Sequence, residues 1–205
     1  MARKTKLEAS ATRDSILDAA ELLFERQGVS RTTLQHIASA AGVTRGAIYW
    51  HFRDKTDLFD AMMKRVTMPL ETVLQSVEET AIADPLRDLR EWLLTVFRLT
   101  VTDPRARRVF EIATHKIEYV EELTGIRDRR LTCCNDWLVR AESRLKTAVK
   151  RGLLKPDISP RVSALGLFAM TDGLIQLWLL NPAAFDLMQV GGQLIDSSLD
   201  ALRKE

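Results

Sequence analysis

Apolar residues recur three and four positions apart along almost the whole chain, and no stretch alternates with period two between hairpin turns, so the pattern predicts an all-α fold. Ile16, Leu17, Ala20, Leu23 and Phe24 share one face of a first helix running from about Ser10 to Gln27, with Gly28 as the left-handed residue that ends it. Leu34, Ile37, Ala38 and Ala41 give the inner side of a second, short helix. Thr32 with Gln35 forms a T-x-x-Q capping box before it, and Gly42 stops it. Thr44 caps a third helix, Arg45 to Phe52, and Asp54 opens a longer one with Leu58, Phe59, Met62 and Val66 inside, interrupted in its pattern at Pro69. Asp84-Pro85 and Asp103-Pro104 punctuate two further helices, the first carrying Leu89, Trp92, Leu93, Val96 and Phe97, the second spanning about Arg105 to Glu118. A long segment from Leu123 to Arg151, an apolar helix from Pro160 to Leu180 and a last helix from Phe185 to Leu202 complete the chain.

Two short helices joined by about three residues that include a glycine form the sequence signature of helix-turn-helix. A two-turn helix is marginal alone, since isolated helices need about 12–15 residues to persist in water, so "GVTRGAIYWHF" (Gly42 to Phe52) must be held from behind. Ile48 and Phe52, four apart, supply that anchor, and Arg45 and Tyr49 point together elsewhere. An outward arginine at a helix start is equipped to grip guanine O6 and N7 in a major groove, and Gly46 beside it has no side chain to hold backbone and DNA apart. Thr33, Thr44, Tyr49, Trp50 and His51 carry donors for phosphate oxygens. Lys55, at the N-terminus of the following helix, is placed for a phosphate as well. Arg3, Lys4 and Lys6 form a cationic arm.

Composition sharpens this picture only locally. The 205 residues carry a net charge of +2, yet residues 1–65 hold 11 Lys and Arg against 8 Asp and Glu, a small basic module ahead of a near-neutral larger one. This length buries a real core without disulfides, and the only two cysteines, Cys133 and Cys134, are adjacent, a pattern of a reducing compartment. The N-terminus has no apolar run after its basic residues, so no secretory signal is expected. The apolar run Ala164 to Leu180 is broken by Asp172 and Gln176 and is short of the ~20 residues of a membrane span, which predicts a buried soluble helix in a cytoplasmic protein. No cysteine, histidine or carboxylate cluster has metal spacing, and no nucleophile and base sit at helical spacing, so no catalytic, metal or cofactor site is expected. Asp172 lies among apolar residues and so needs a partner, a hydrogen bond or an open cavity; His115 is open between an interior histidine and a pocket group. A helical module that docks on protein instead of DNA has the same periodicity.

The stretch "RDSILDAAELLFERQGVSRTTLQHIASAAGVTRGAIYWHFRDKTDLFDAM", Arg13 to Met62, resembles the TetR family of bacterial one-component regulators. "MARKTK", "GVTRGAIYWHF", "RRVFEIATHKIEYVEEL" and "DGLIQLWLLNPAAFDL" further resemble its AcrR and TtgR branch, repressors of multidrug efflux pump operons. The resemblance implies a DNA-binding domain over residues 1–54 and a ligand-binding, dimerising domain over 55–205. It places the major-groove helix on Thr44 to His51 and a phosphate lysine on Lys55. It implies a homodimer on a double-stranded, pseudo-palindromic DNA operator, released by a hydrophobic small-molecule inducer such as a lipophilic antimicrobial or a phenolic, with no membrane involved. The pocket implied by the resemblance involves Leu93, Val96, Phe97, Phe110, Thr114, His115, Phe168, Asp172 and Gln176. Phe110 and Thr114 stand where TtgR-like members carry asparagine and histidine, which leaves the ligand open. A regulator of lipid or catabolic genes is the alternative within the same family.

Overall fold

A computed structural model describes residues 6–79, 84–118 and 124–204, the side chains of 68–79 excepted. Among the described residues are nine helices: α1 Lys6–Gln27, α2 Leu34–Ala40, α3 Arg45–His51, α4 Lys55–Glu79, α5 Pro85–Thr102, α6 Pro104–His115, α7 Thr124–Lys150, α8 Pro160–Leu180 and α9 Leu187–Leu202. Three of them, α1, α2 and α7, stop where a glycine takes the left-handed conformation. Gly28, Gly42 and Gly152 have φ of +81°, +67° and +70°, backbone that a side chain disfavours.

The chain forms two compact units. The first comprises Met1–Thr67 and Arg108–Arg129, the second Met68–Arg107 and Arg130–Glu205. Residues 55–67, the start of α4, lie in the first unit. In this unit Ile16, Leu17, Phe24, Ile37, Ile48, Leu58 and Met62 are fully buried. Each stabilises by roughly 1.5–3 kcal/mol relative to exposure. Phe24 of α1 and Phe59 of α4 lie 6.4 Å apart in a tilted pair. Glu21 is buried among them at 1% exposure, its charge met by Arg65 of α4 at 3.3 Å and Arg108 of α6 at 3.9 Å. A carboxylate so placed needs such partners, and removing one partner of a buried pair costs about 3–5 kcal/mol.

In the second unit α5, α8 and α9 pack together around Leu89, Leu93, Phe97, Ile175, Ile195 and Leu199. A Cβ on Gly191 of α9 would overlap the Phe97 ring, so this glycine is a close approach of two helices. Arg90 of α5 bonds both oxygens of Asp196 of α9, at 2.5 and 3.0 Å, the bidentate fork that a guanidinium offers a carboxylate. Beyond α9, the end of the chain pairs with the α7–α8 connection: Lys155 N–H donates to Leu202 O (3.0 Å) and Lys204 N–H to Leu153 O (3.2 Å).

Two local features depart from the expectations above. The cap of α2 is Thr33, not Thr32: its hydroxyl accepts from His36 N–H at 3.1 Å, and its own N–H donates to His36 Nδ1 at 3.4 Å. Thr32 is fully buried and committed to the end of α1, donating to Gly28 O at 2.7 Å and accepting from Gln27 at 3.0 Å. His36 is therefore a capping residue. At Pro69 the apolar pattern is interrupted but the helix is not, and α4 continues beyond Leu70 to Glu79. The apolar helix α8 begins at Pro160 behind a Ser159 cap and reaches 21 residues, so its length alone does not separate it from a membrane span.

Candidate functional site

The helix-turn-helix is built from the backbone outward. Thr33 starts α2, Gly42 takes the left-handed turn, and Val43 N–H returns to Ala38 O at 3.0 Å, which closes the turn. Thr44 Oγ1 then accepts from Ala47 N–H at 3.2 Å and opens α3. α3 splits into two faces as the four-residue spacing requires. Ile48 and the C-cap Phe52 are buried, whereas Thr44, Arg45, Gly46, Tyr49 and Trp50 are exposed, Trp50 by 73%. An indole left this open on a helix that buries its other side is an apolar and donor surface waiting for a partner. The Arg45 guanidinium lies 5.8 Å from the centre of the Tyr49 ring, a contact that holds both side chains on the outer face. Trp50 and His51 meet edge to face at 4.6 Å.

Gly46 is informative because nothing among the described residues requires it. Its φ is not positive, and a methyl group there would meet nothing closer than Thr44 Oγ1 at 4.0 Å. A glycine in a helix costs stability, so a reason outside the chain is indicated. Thr33 and Lys6 are exposed, and Arg3 and Lys4 lie outside the described residues. Arg13, the first residue of the stretch that carries the family resemblance, sits 5.1 Å over the Phe52 ring and ties α1 to the end of α3. The Lys55 ammonium bonds the backbone carbonyls of Val29, Ser30 and Thr32 at 2.8, 3.1 and 3.0 Å.

The second unit gathers some of the expected ligand residues. Leu93 and Phe97 are fully buried and Val96 half-buried on α5. Phe168, Asp172 and Gln176 are half-buried on successive turns of α8. Gln176 donates to the Asp172 carboxylate, and Arg130 of α7 lies 3.7 Å from its other oxygen. Of the readings left open for Asp172, an internal partner is the one observed. Phe168 meets Trp137 edge to face at 5.1 Å, and Trp137 stacks on Trp92 at 4.9 Å, an aromatic ladder across α5, α7 and α8. Cys134 borders this group: burial pushes its thiol up, opposed by Arg130 and reinforced by Asp172. Phe110, Thr114 and His115, half-buried on α6, belong to the first unit, where the Thr114 hydroxyl donates to Phe110 O at 2.8 Å.

Comparison with known proteins decides the kinship. Residues 16–62 match the family described as bacterial regulatory proteins, tetR family, and residues 84–204 match the C-terminal region of MAATS-type transcriptional repressors. The chain is 41% identical over 203 residues to the HTH-type transcriptional regulator TtgR of Pseudomonas putida, covering 99% of this chain and 97% of the relative. It is 42% identical over 187 residues to the HTH-type transcriptional regulator AcrR of Shigella flexneri, covering 91% and 87%. The chain belongs to the TetR family. Among solved structures, it is similar to NalD, the secondary repressor of the MexAB-OprM multidrug efflux pump in Pseudomonas aeruginosa, with a TM-score of 0.87 at 34% identity, covering 98% of this chain and all of the other. A SmeT–triclosan complex aligns with a TM-score of 0.86 at 33% identity, covering 95% and 93%.

As a TetR-family member the protein is a transcriptional regulator and not an enzyme. Residues 16–62, the part matched to the tetR family, hold both helices of the turn. Periodicity located that face but missed the side chains behind it. Arg13, Glu21, Arg65 and Arg108 all act through partners distant in the chain, and no short-range signal announces such pairs.

Proposed function

We propose that this TetR-family protein is a ligand-released repressor. It binds a pseudo-palindromic operator in double-stranded DNA as a homodimer, and it controls a multidrug efflux pump operon. The observation that carries the reading is α3, which buries Ile48 and Phe52 and offers Arg45, Gly46, Tyr49 and Trp50 to a partner. Arg45 reads guanine, Gly46 permits close approach, and Thr33, Thr44, Tyr49, Trp50 and His51 donate to phosphates, with Arg3, Lys4 and Lys6 as a cationic arm.

Homodimerisation is supported by apolar side chains on α8 that one protomer leaves open, among them Val162, Leu165, Leu177 and Leu180, each more than half exposed. Two copies then address successive major grooves about one helical turn, ~34–36 Å, apart. The kinship with TtgR, AcrR and NalD supports the efflux operon, and the triclosan bound to SmeT supports a hydrophobic inducer, a lipophilic antimicrobial or a phenolic. Asp172 with Gln176 and Arg130 supplies the polar contacts for such a ligand, beside Phe168 and the apolar Leu93, Val96 and Phe97. The protein acts in the cytoplasm, without a membrane or a cofactor. An inducer releases DNA only by binding the DNA-free conformation more tightly than the bound one.

The test is fluorescence anisotropy of labelled DNA from upstream of this protein's own gene, titrated at several salt concentrations and then challenged with lipophilic antimicrobials and phenolics. Salt-sensitive binding that exceeds scrambled DNA, with release by several of the compounds, is the expected result. Binding that none of them releases assigns the regulator to other genes. Binding insensitive to salt and sequence removes the DNA role.

A further inference from the structure

Given the inducer site proposed above, on which this inference rests, we propose that Trp137, Asp172 and Arg130 set its ligand class: the site takes a neutral aromatic hydroxyl compound and rejects a lipophilic cation of the same shape. The apolar part is a ladder of three rings. Trp137 of α7 stacks on Trp92 of α5 at 4.9 Å and meets Phe168 of α8 edge to face at 5.1 Å. Its two ends differ. Trp92 is buried and has the Arg144 guanidinium 5.7 Å from its ring centre, whereas Trp137 and Phe168 are only half-buried. The stack therefore offers ring surface to a flat apolar ligand at one end and already holds a cation at the other.

The polar part lies one turn further along α8. Asp172 and Gln176 follow Phe168 at helical spacing and share its face, and α7 brings Arg130 to the same carboxylate from two turns before Trp137. Gln176 donates to one Asp172 oxygen, and Arg130 stands 3.7 Å from the other, with about one third of each ionic side chain exposed. That separation exceeds a hydrogen bond, so the two ions neutralise each other without saturating the carboxylate's lone pairs. A hydroxyl both donates and accepts: it donates to Asp172 while taking an N–H from Arg130. An ether only accepts, and a ring cation without a hydroxyl does neither. For such a cation the adjacent guanidinium also cancels the attraction that a lone carboxylate would exert.

The experiment is isothermal titration calorimetry on the free full-length protein, without DNA, with three probes of one shape: para-phenylphenol, its methyl ether and N-methyl-para-phenylpyridinium. The native protein is expected to bind the phenol about tenfold more tightly than either of the others. Arg130→Met is expected to raise affinity for the pyridinium about five- to tenfold and to make that binding salt-sensitive. Arg130→Lys keeps the charge and the native order of the probes. Trp137→Leu is expected to weaken all three about threefold or more. Equal binding of the three probes by native protein, or an unchanged ratio of phenol to cation in Arg130→Met, overturns the selectivity and leaves the inducer site standing. Binding of no probe, or binding that Trp137→Leu leaves unchanged, removes the inducer site from these residues and the selectivity with it. The native series needs no variant, so a substitution that fails to fold does not prevent the decision.

Discussion

Gly46→Ala separates what the fold needs from what the partner needs. Within the protein the added methyl is free of strain: it approaches nothing closer than 4.0 Å, and Gly46 is not among the residues with positive φ. Alanine in place of glycine in a helix gains up to ~1 kcal/mol, less in the first turn, because the unfolded chain loses conformational freedom. For a chain of this size that gain corresponds to a rise of about 2–4 °C in Tm at most. The same methyl stands on the exposed front of α3, one residue from Arg45, where the proposed groove wall lies. Pushing the helix back loosens every contact of the half-site, and an affinity loss of about tenfold or more, ~1.4 kcal/mol, is expected. Thermal melting and DNA anisotropy on one preparation give both readouts. A variant that melts at or above the native temperature but binds DNA more weakly supports the assignment. Native affinity with raised Tm would refute close approach as the reason for this glycine, and a lowered Tm would refute the unstrained geometry of α3.

Three other substitutions address separate links. Arg45→Ala is expected to cost about 1–3 kcal/mol per half-site and to relax sequence preference, checked by competition between the upstream DNA and point-mutated duplexes. Gly191→Ala forces a methyl into the Phe97 ring and is expected to destabilise by about 1–3 kcal/mol in urea unfolding, with unchanged unfolding as the contrary result. Asp196 is held below its ordinary 3.8 by hydrogen bonding to Arg90, so its contribution is present above that value and is lost as pH falls through the folded-state pKa. The stability gap between native protein and Asp196→Asn is therefore expected to be constant near neutrality and to close below about pH 3.8.

The extent to which sequence reveals this structure follows the range of each interaction. Helix ends at Gly28, Gly42 and Gly152 are legible because one residue type meets one backbone requirement. The two faces of α3 are legible from the spacing of Ile48 and Phe52. The capping box is displaced by one residue because two threonines stand side by side, and only the burial of Thr32 against Gly28 and Gln27 tells them apart. Lys55 is ambiguous for a related reason. A lysine at a helix start satisfies a phosphate and a cluster of carbonyls equally well, and its carbonyls lie more than twenty residues earlier in the chain. The buried Glu21 and the ladder of Trp92, Trp137 and Phe168 likewise depend on contacts distant in sequence. Periodicity identifies which face is inside, not which residue waits there.

The central claim, that α3 reads the major groove in two copies, is tested most directly by methylation interference on the upstream DNA, since guanine N7 lies in that groove. The account predicts two clusters of interfering guanines centred about one helical turn, ~34–36 Å, apart, with one guanine in each cluster losing its effect in Arg45→Ala. Interference confined to the minor groove, or binding indifferent to guanine methylation, would contradict it.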